Sequence, residues 1–276
     1  MTTLPPIAVA SLWRYPIKSC RGMSLPLADL DARGIIHDRR FMVTDPGGRF
    51  LTQREHPRLA LISPQVSETC LTVSAPGMGD LQVPVATAGT ETRVVVWRDT
   101  CAAIDQGMEV AGWFSSYLGH DVRLVRIVNG FTRRIDPAFA RHEDDQVHFA
   151  DGYPLLLISQ ASLDDLNSRL SAPLPMDRFR PNIVVSGCAP FAEDTWPAIR
   201  VGNVELDVVK PCARCVTTTV NQETAHVGKE PLATLATFRK RDRGVMFGQN
   251  LIHRGTGTIA VGDAISVLGT AGAAAG

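Results

Sequence analysis

A basic excess is missing from this chain of 276 residues: Lys plus Arg and Asp plus Glu stand at 28 each, for a formal net charge of zero. Proteins that grip nucleic-acid polymers usually carry a surplus of Lys and Arg, so no such partner is expected. Long apolar runs are missing too. No stretch approaches the roughly 20 apolar residues that a membrane-spanning helix needs. The N-terminal segment MTTLPPIAVASLWRYPIK has no basic region ahead of an apolar run, so no secretory signal is expected. Cysteine is scarce. Six residues, at 20, 70, 101, 188, 212 and 215, are too few for a disulfide scaffold, and reduced thiols in a cytoplasmic protein are the simpler expectation. Several motifs are absent as well. Without G-x-G-x-x-G after a strand, Walker A or G-x-S-x-G, nucleotide folds and α/β-hydrolases lose support. The seven histidines show no H-x-x-H or H-E-x-x-H spacing and receive no catalytic role.

What the chain does have is turn chemistry between β-branched runs. Residues 41–44, the turn DPGG at 45–48 and residues 49–52 predict a hairpin, and so do 70–74, APGMG at 75–79 and 80–83. Residues 92–97 predict a strand, and 109–118 an amphipathic helix that Gly119 would cap. Strand character restarts at 122–128, which puts a soft boundary near 121. Ser159 or Ser162 would cap a helix running to about 170. Residues 183–186, 204–209 and 215–220 predict strands, Pro231 opens a helix towards 241, and 245–253, 258–261 and 264–268 close the pattern. The expected fold is mainly β with a few helices and barrels in place of a doubly wound sheet. Its units are a β-rich part at 1–121, a β-barrel at 122–269 and a disordered Gly/Ala-rich tail at 270–276.

Chemistry concentrates in KPCARCVTTTV at 210–220. No second C-x-x-C or His pair completes a zinc site. A dithiol redox motif normally opens a helix, whereas this one runs into a β-branched stretch. A third reading is a single-thiolate metal site, with Lys210 and Arg214 favouring deprotonation; a fourth is two ordinary buried cysteines. Three other segments mix basic and polar residues: YPIKSC at 15–20 followed by Gly22, DRRF at 38–41, and RFRPNIV at 178–184. If they converge, Lys18, Arg39 and Arg180 supply positive charge while Ser19 and Asn182 supply directed hydrogen bonds. That set suits a phosphate joined to a polar heterocycle. Taken singly, each arginine is equally at home as a solvated surface charge.

These motifs, in this order, resemble the two-part MOSC proteins, named after the C-terminal domain of molybdenum cofactor sulfurase. Within that family the chain looks most like the branch of the mitochondrial amidoxime reducing component and its bacterial relatives. The resemblance is carried by 15–20 with Gly22, 38–41, FADGYPLLLIS at 149–159, 162–167, 179–184, 212–220, 229–232 and 247–250. It runs from about residue 7 to 268. It implies an N-terminal β-rich subdomain plus a MOSC β-barrel, with a molybdopterin-type cofactor between them. By matching motif, Cys215 would be the molybdenum ligand and Cys212 its neighbour. Lys18, Ser19, Arg39, Arg180 and Asn182 would hold the pterin's phosphate and polar edge, with Gly152 and Tyr153 at contact positions. Tyr153 stands where some relatives carry a small hydroxyl residue, and Ala213 where some carry Ser. The implied activity is reduction of small N-hydroxylated or N-oxide substrates. Some bacterial relatives append a ferredoxin domain with C-x4-C-x2-C spacing; that motif is absent here, so no iron–sulfur cluster is expected. Electrons are then expected from a separate protein, a ferredoxin, flavoprotein or cytochrome. The rival expectations are a sulfur carrier using a Cys215 persulfide and a cofactor store without turnover.

Overall fold

The Leu-, Ile- and Val-rich runs of the second half become central strands, buried on both faces, of one nine-stranded sheet in this computed structural model, which describes residues 5–85, 88–241 and 244–269. Its order is Met23–Leu25, Ala8–Arg14, Ile183–Ser186, Leu155–Ser159, Gly244–Arg254, Val204–Arg214, Ala198–Val201 and Ile265–Leu268. Lys240–Arg241 pairs with Gly244–Arg254 off this path. The last strand returns to the first: Val9 N–H donates to Asp263 O at 2.9 Å and Ile265 N–H to Ile7 O at 2.8 Å. The sheet therefore closes as a barrel and leaves no long open edge. Leu12, Leu157, Ile183, Ile199, Leu206 and Leu251 fill its interior.

The chain's first strand lies in the same sheet as its last, because Ala8–Arg14 pairs antiparallel with Ile183–Ser186. Between them the chain builds a second β-rich body. Phe41–Thr44, Arg123–Ile127, Asp99–Asp105 and Glu91–Val96 form one antiparallel sheet, and Ser63–Val66, Cys70–Ser74 and Leu81–Pro84 form a meander. Helix Met108–Leu118 presses Val110, Phe114 and Tyr117 onto the core between them, and Gly119 ends it in the left-handed conformation at φ 83°. The first expected hairpin closes around the Thr44–Phe50 bridge, with Asp45 N–H donating to Arg49 O at 2.8 Å and Leu51 N–H to Val43 O at 2.9 Å, and Arg49 also bridges to Val95.

Leu155–Ser159 and Ile183–Ser186 run parallel, joined by helix Gln160–Ser168. Ser159 caps that helix by accepting from Ser162 N–H at 3.1 Å. Glu193 locks the junction, accepting from Ser159 N–H at 3.1 Å and Ser162 Oγ at 2.7 Å. Ser159→Ala is expected to cost about 1–2 kcal/mol, read as a lower urea midpoint at unchanged slope.

Two expectations need correction. Residues 215–220 are not a strand: Val216–Thr219 is a 3-10 turn. Thr218 Oγ1 donates to Cys215 O at 3.0 Å and Thr219 Oγ1 to Val216 O at 2.8 Å, so the hydroxyls that suggested a pleated surface curl the backbone instead. The helix expected towards 241 spans Leu232–Phe238, and Lys240–Arg241 is a short strand. The tail expected to be disordered, 270–276, lies outside the described residues. Among the described residues no helix is long and apolar enough to cross a membrane.

Candidate active site

Three segments distant in sequence are laced together by backbone hydrogen bonds. Lys18 N–H donates to Phe41 O at 2.8 Å, Phe41 N–H to Pro16 O at 3.0 Å, and Phe149 N–H to Arg39 O at 2.9 Å. Strand Val204–Arg214 delivers the cysteines from the other side. Its register shifts between Val208 and Lys210 and again between Pro211 and Ala213, bulges that suit a proline without an N–H and bend the strand end. The result is a cleft of about 330 Å³. Lys18, Ser19, Arg39, Gly152, Tyr153, Arg180, Asn182 and Cys215, the candidates singled out from the sequence, all line it.

Charge in the cleft is lopsided. Lys18, Arg39, Arg54, Arg180, Lys210 and Arg214 face it, against one carboxylate, Asp151. A neutral chain has thus gathered a local positive field. Lys18, 5% exposed, spends its ammonium on Phe149 O at 2.8 Å and Asp151 Oδ1 at 2.5 Å. Burial pushes the Lys18 pKa down, and Asp151 works against that shift. The Asp151 side chain is open to the cleft, yet protein crowds its carboxylate; that crowding would raise its pKa, and the Lys18 charge outweighs it and holds the group below the usual range. Trp97 Nε1 also donates to Asp151 Oδ1, at 3.2 Å.

Asp38 orders the opposite wall. It is 4% exposed; it accepts from Arg39 Nη1 at 2.5 Å, Tyr15 N–H at 2.8 Å and Asn182 Nδ2 at 3.2 Å. Arg39 Nη1 donates on to Asn182 Oδ1 at 3.0 Å. The guanidiniums of Arg39 and Arg180 lie 4.2 and 4.3 Å from the Tyr15 ring centroid. Gly22 permits this stacking, because a Cβ there would meet Tyr15 Cε1 at 2.5 Å. Ser19, Arg39 and Arg180 all take positive φ, at 66°, 45° and 56°. For non-glycine residues that strain is characteristic of a site that aims side chains. Arg180 donates to Cys20 O at 2.5 Å.

Cys215 sits at the start of the Val216–Thr219 turn, with Sγ 3.4 Å from Thr217 Oγ1. Burial would raise its pKa, but hydrogen bonds from the Thr217 hydroxyl and backbone N–H, helped by Arg54 and Arg214, bring it below the ordinary thiol value. Cys212 differs: Arg214 Nη1 points at its Sγ from 2.9 Å. Arg214 Nη2 donates to Phe179 O at 2.6 Å, while its buried Nε has no partner among the described residues. Among the described residues, no three His, Cys, Asp or Glu side chains gather as a metal cage. A metal held through Cys215 would need most of its ligands from a non-protein group.

Sequence reasoning passed over Arg178, the other arginine of RFRPN. It is 5% exposed and donates to Thr218 O at 3.0 Å, Thr219 O at 2.9 Å and Glu230 O at 3.2 Å, clamping the turn behind Cys215. Arg178→Met should cost about 2–3 kcal/mol, because the buried Thr218 carbonyl loses the guanidinium and the Thr219 and Glu230 carbonyls each lose one charged donor. A changed rate of Cys215 alkylation, with Cys212→Ser as background, checks that the turn has moved. Arg54 and Trp97 were also missed. The guanidinium lies 4.6 Å from the indole centroid at the cleft wall, and the cue was an exposed tryptophan at a strand end.

Two sequence families match the chain: the MOSC N-terminal beta barrel domain over residues 7–121 and the MOSC domain over residues 144–266. The chain is 38% identical to mitochondrial amidoxime-reducing component 1 of Mus musculus, covering 95% of this chain and 82% of that protein. For the Homo sapiens component 1 the values are 38%, 95% and 83%. For mitochondrial amidoxime reducing component 2 of Bos taurus they are 36%, 93% and 82%.

Proposed function

The chain belongs to the family of two-part MOSC proteins, and on that premise we propose that it is a molybdenum-cofactor-dependent reductase of small N-hydroxylated and N-oxide compounds. The observation that carries the proposal is one thiolate-biased cysteine at the end of a cleft whose other walls are cationic and amide-bearing. Lys18, Ser19, Arg39, Arg180 and Asn182 would hold the phosphate and polar edge of a molybdopterin, with Gly152 and Tyr153 on the same wall. Cys215 would give molybdenum its protein ligand, and Cys212, engaged with Arg214, would stay outside the metal's shell. The buried, unpartnered Arg214 Nε and the surplus of six cations over one carboxylate fit an anionic, acceptor-rich group. Such a cofactor supplies two-electron removal of oxygen from N–O substrates.

The chain's own residues bind and orient. Thr217, by hydrogen-bonding the sulfur, draws the Cys215 pKa below the ordinary thiol value against the opposing effect of burial. Asp38 holds Arg39 and Asn182 in place, and Arg178 sets the turn that carries Cys215. Arg54 and Trp97 frame the side of the cleft next to Asp151 and would meet the substrate there. A separate electron donor, a ferredoxin, flavoprotein or cytochrome, is part of the same proposal. Cytoplasmic residence belongs to the same reading and is supported by six free cysteines. So does a two-part division near residue 121, in which Ala8–Arg14 crosses into the barrel.

The test is reduction of an N-hydroxylated amidine, driven by reduced viologen, with protein purified anaerobically from a cofactor-competent host. Turnover in wild type, with Arg180→Gln losing pterin in proportion to activity, supports the proposal. Cofactor-loaded protein without turnover on N–OH or N-oxide substrates would point to storage. A persulfide on Cys215 in metal-free protein would point to sulfur transfer.

A further inference from the structure

Behind the wall formed by residues 37–40 and 148 lies a second cavity, of about 280 Å³. Arg39 and Arg40 are neighbours in sequence, yet Arg39 lines the first cleft and Arg40 the second. Arg33, His37, Arg40, Asn129 and His148 line the second cavity with one carboxylate, Asp31. Asp31 spends Oδ1 on the Arg33 backbone N–H at 2.7 Å. Neither Arg33 nor Arg40 forms an ion pair among the described residues; their guanidiniums meet neutral acceptors instead. Arg40 donates to Asn129 Oδ1 at 2.9 Å and approaches His37 Nδ1 at 3.1 Å, and Arg33 reaches only Phe131 O at 3.5 Å. Arg126, 5% exposed, converges on the same Asn129 oxygen at 3.2 Å.

Half-buried guanidiniums crowded onto neutral acceptors repel one another, and water alone repays little of that cost. Burial and the neighbouring arginines push the His37 pKa down to about 4. His148 is also pushed to about 4, by burial first and by Arg33 and Arg40 against the opposing pull of Asp31. Both imidazoles are therefore neutral at neutral pH, and the positive charge of the cavity resides on guanidiniums, whose planar forks match oxyanions.

We propose that this second cavity is a binding site for a small dianionic oxyanion, a phosphate or a dicarboxylate, held by Arg33 and Arg40 with His37, Asn129 and His148 around it. The site is separate from the cleft that holds Cys215 and does not depend on the function proposed for that cleft. It adjoins it through one hydrogen-bonded step, His148 Nδ1 to Asp38 O at 3.2 Å. The volume lies just below the usual range for small-molecule pockets, which suits a small anion.

Calorimetric titration of the cofactor-loaded protein with inorganic phosphate, and separately with malonate, at ionic strength held constant with chloride, tests this. Saturable binding by at least one probe is expected, with Kd below about 1 mM. Arg40→Gln and Arg33→Gln should each weaken it about tenfold or more, Arg40→Lys less, and Arg54→Gln, in the first cleft, not at all. The tighter probe identifies the anion class. Absence of saturable binding in wild type overturns the proposal without any variant. So does binding that Arg54→Gln abolishes and Arg40→Gln leaves intact, which would place the anion in the first cleft.

Discussion

Asp38→Ala is expected to lower the unfolding free energy by about 3–5 kcal/mol, because it removes the carboxylate paired directly with the largely buried Arg39. The same change strands the Tyr15 backbone N–H and frees the Asn182 amide that the carboxylate holds. Arg39 is 14% exposed at its side chain and Asp38 3%, so solvent cannot take over the lost interactions. Urea unfolding should show a lower midpoint at unchanged slope. Asp38→Asn, which retains an oxygen for Tyr15 N–H, should cost visibly less. Equal costs for the two variants would mean that packing, and not the ion pair, makes Asp38 important.

The second large effect is expected at Cys215. Cys215→Ser should retain the fold, since the sulfur is only half-buried and the turn is held by Thr218, Thr219 and Arg178 without it. Reductase activity should fall below about 1% of wild type, because an alcohol at this position is neither deprotonated nor soft. Cys212→Ser should keep most of its activity, because Arg214 Nη1 points at that thiol and the proposal gives it no metal to hold. Equal losses in both variants would contradict the single-ligand assignment.

Local chemistry made much of the fold legible. The 108–118 helix announced itself by amphipathic spacing and a terminal glycine, and the 70–84 hairpin by its Pro/Gly turn between alternating apolar residues. The run VTTT at 216–219 misled because β propensity reports a fit to a half-buried pleated surface, and among the described residues no strand pairs with it. The barrel's closure was illegible for a different reason. Bonding Val9 to Asp263 and Ile265 to Ile7 joins positions near opposite ends of the chain, and no local signal encodes it.

The candidate site shows the same division. Residue type marked Lys18, Arg39, Arg180 and Cys215 as capable of binding, and the resemblance to MOSC proteins placed them in one site. Their meeting depends on bonds such as Phe149 N–H to Arg39 O, between segments that no spacing rule connects. Arg178 and Arg180 differ in sequence by one phenylalanine. Only the left-handed backbone at Arg180 sends one guanidinium into the cleft and leaves the other to clamp the turn.

The most direct measurement is molybdenum and pterin content of the wild-type protein and of Cys215→Ser, both purified anaerobically from the same cofactor-competent host. About one molybdenum per chain in wild type, with Cys215→Ser folded but depleted of metal or holding it with an altered coordination spectrum, is the expected result. Metal-free wild-type protein from a host that loads other molybdenum enzymes, or an unchanged metal spectrum in Cys215→Ser, would contradict it.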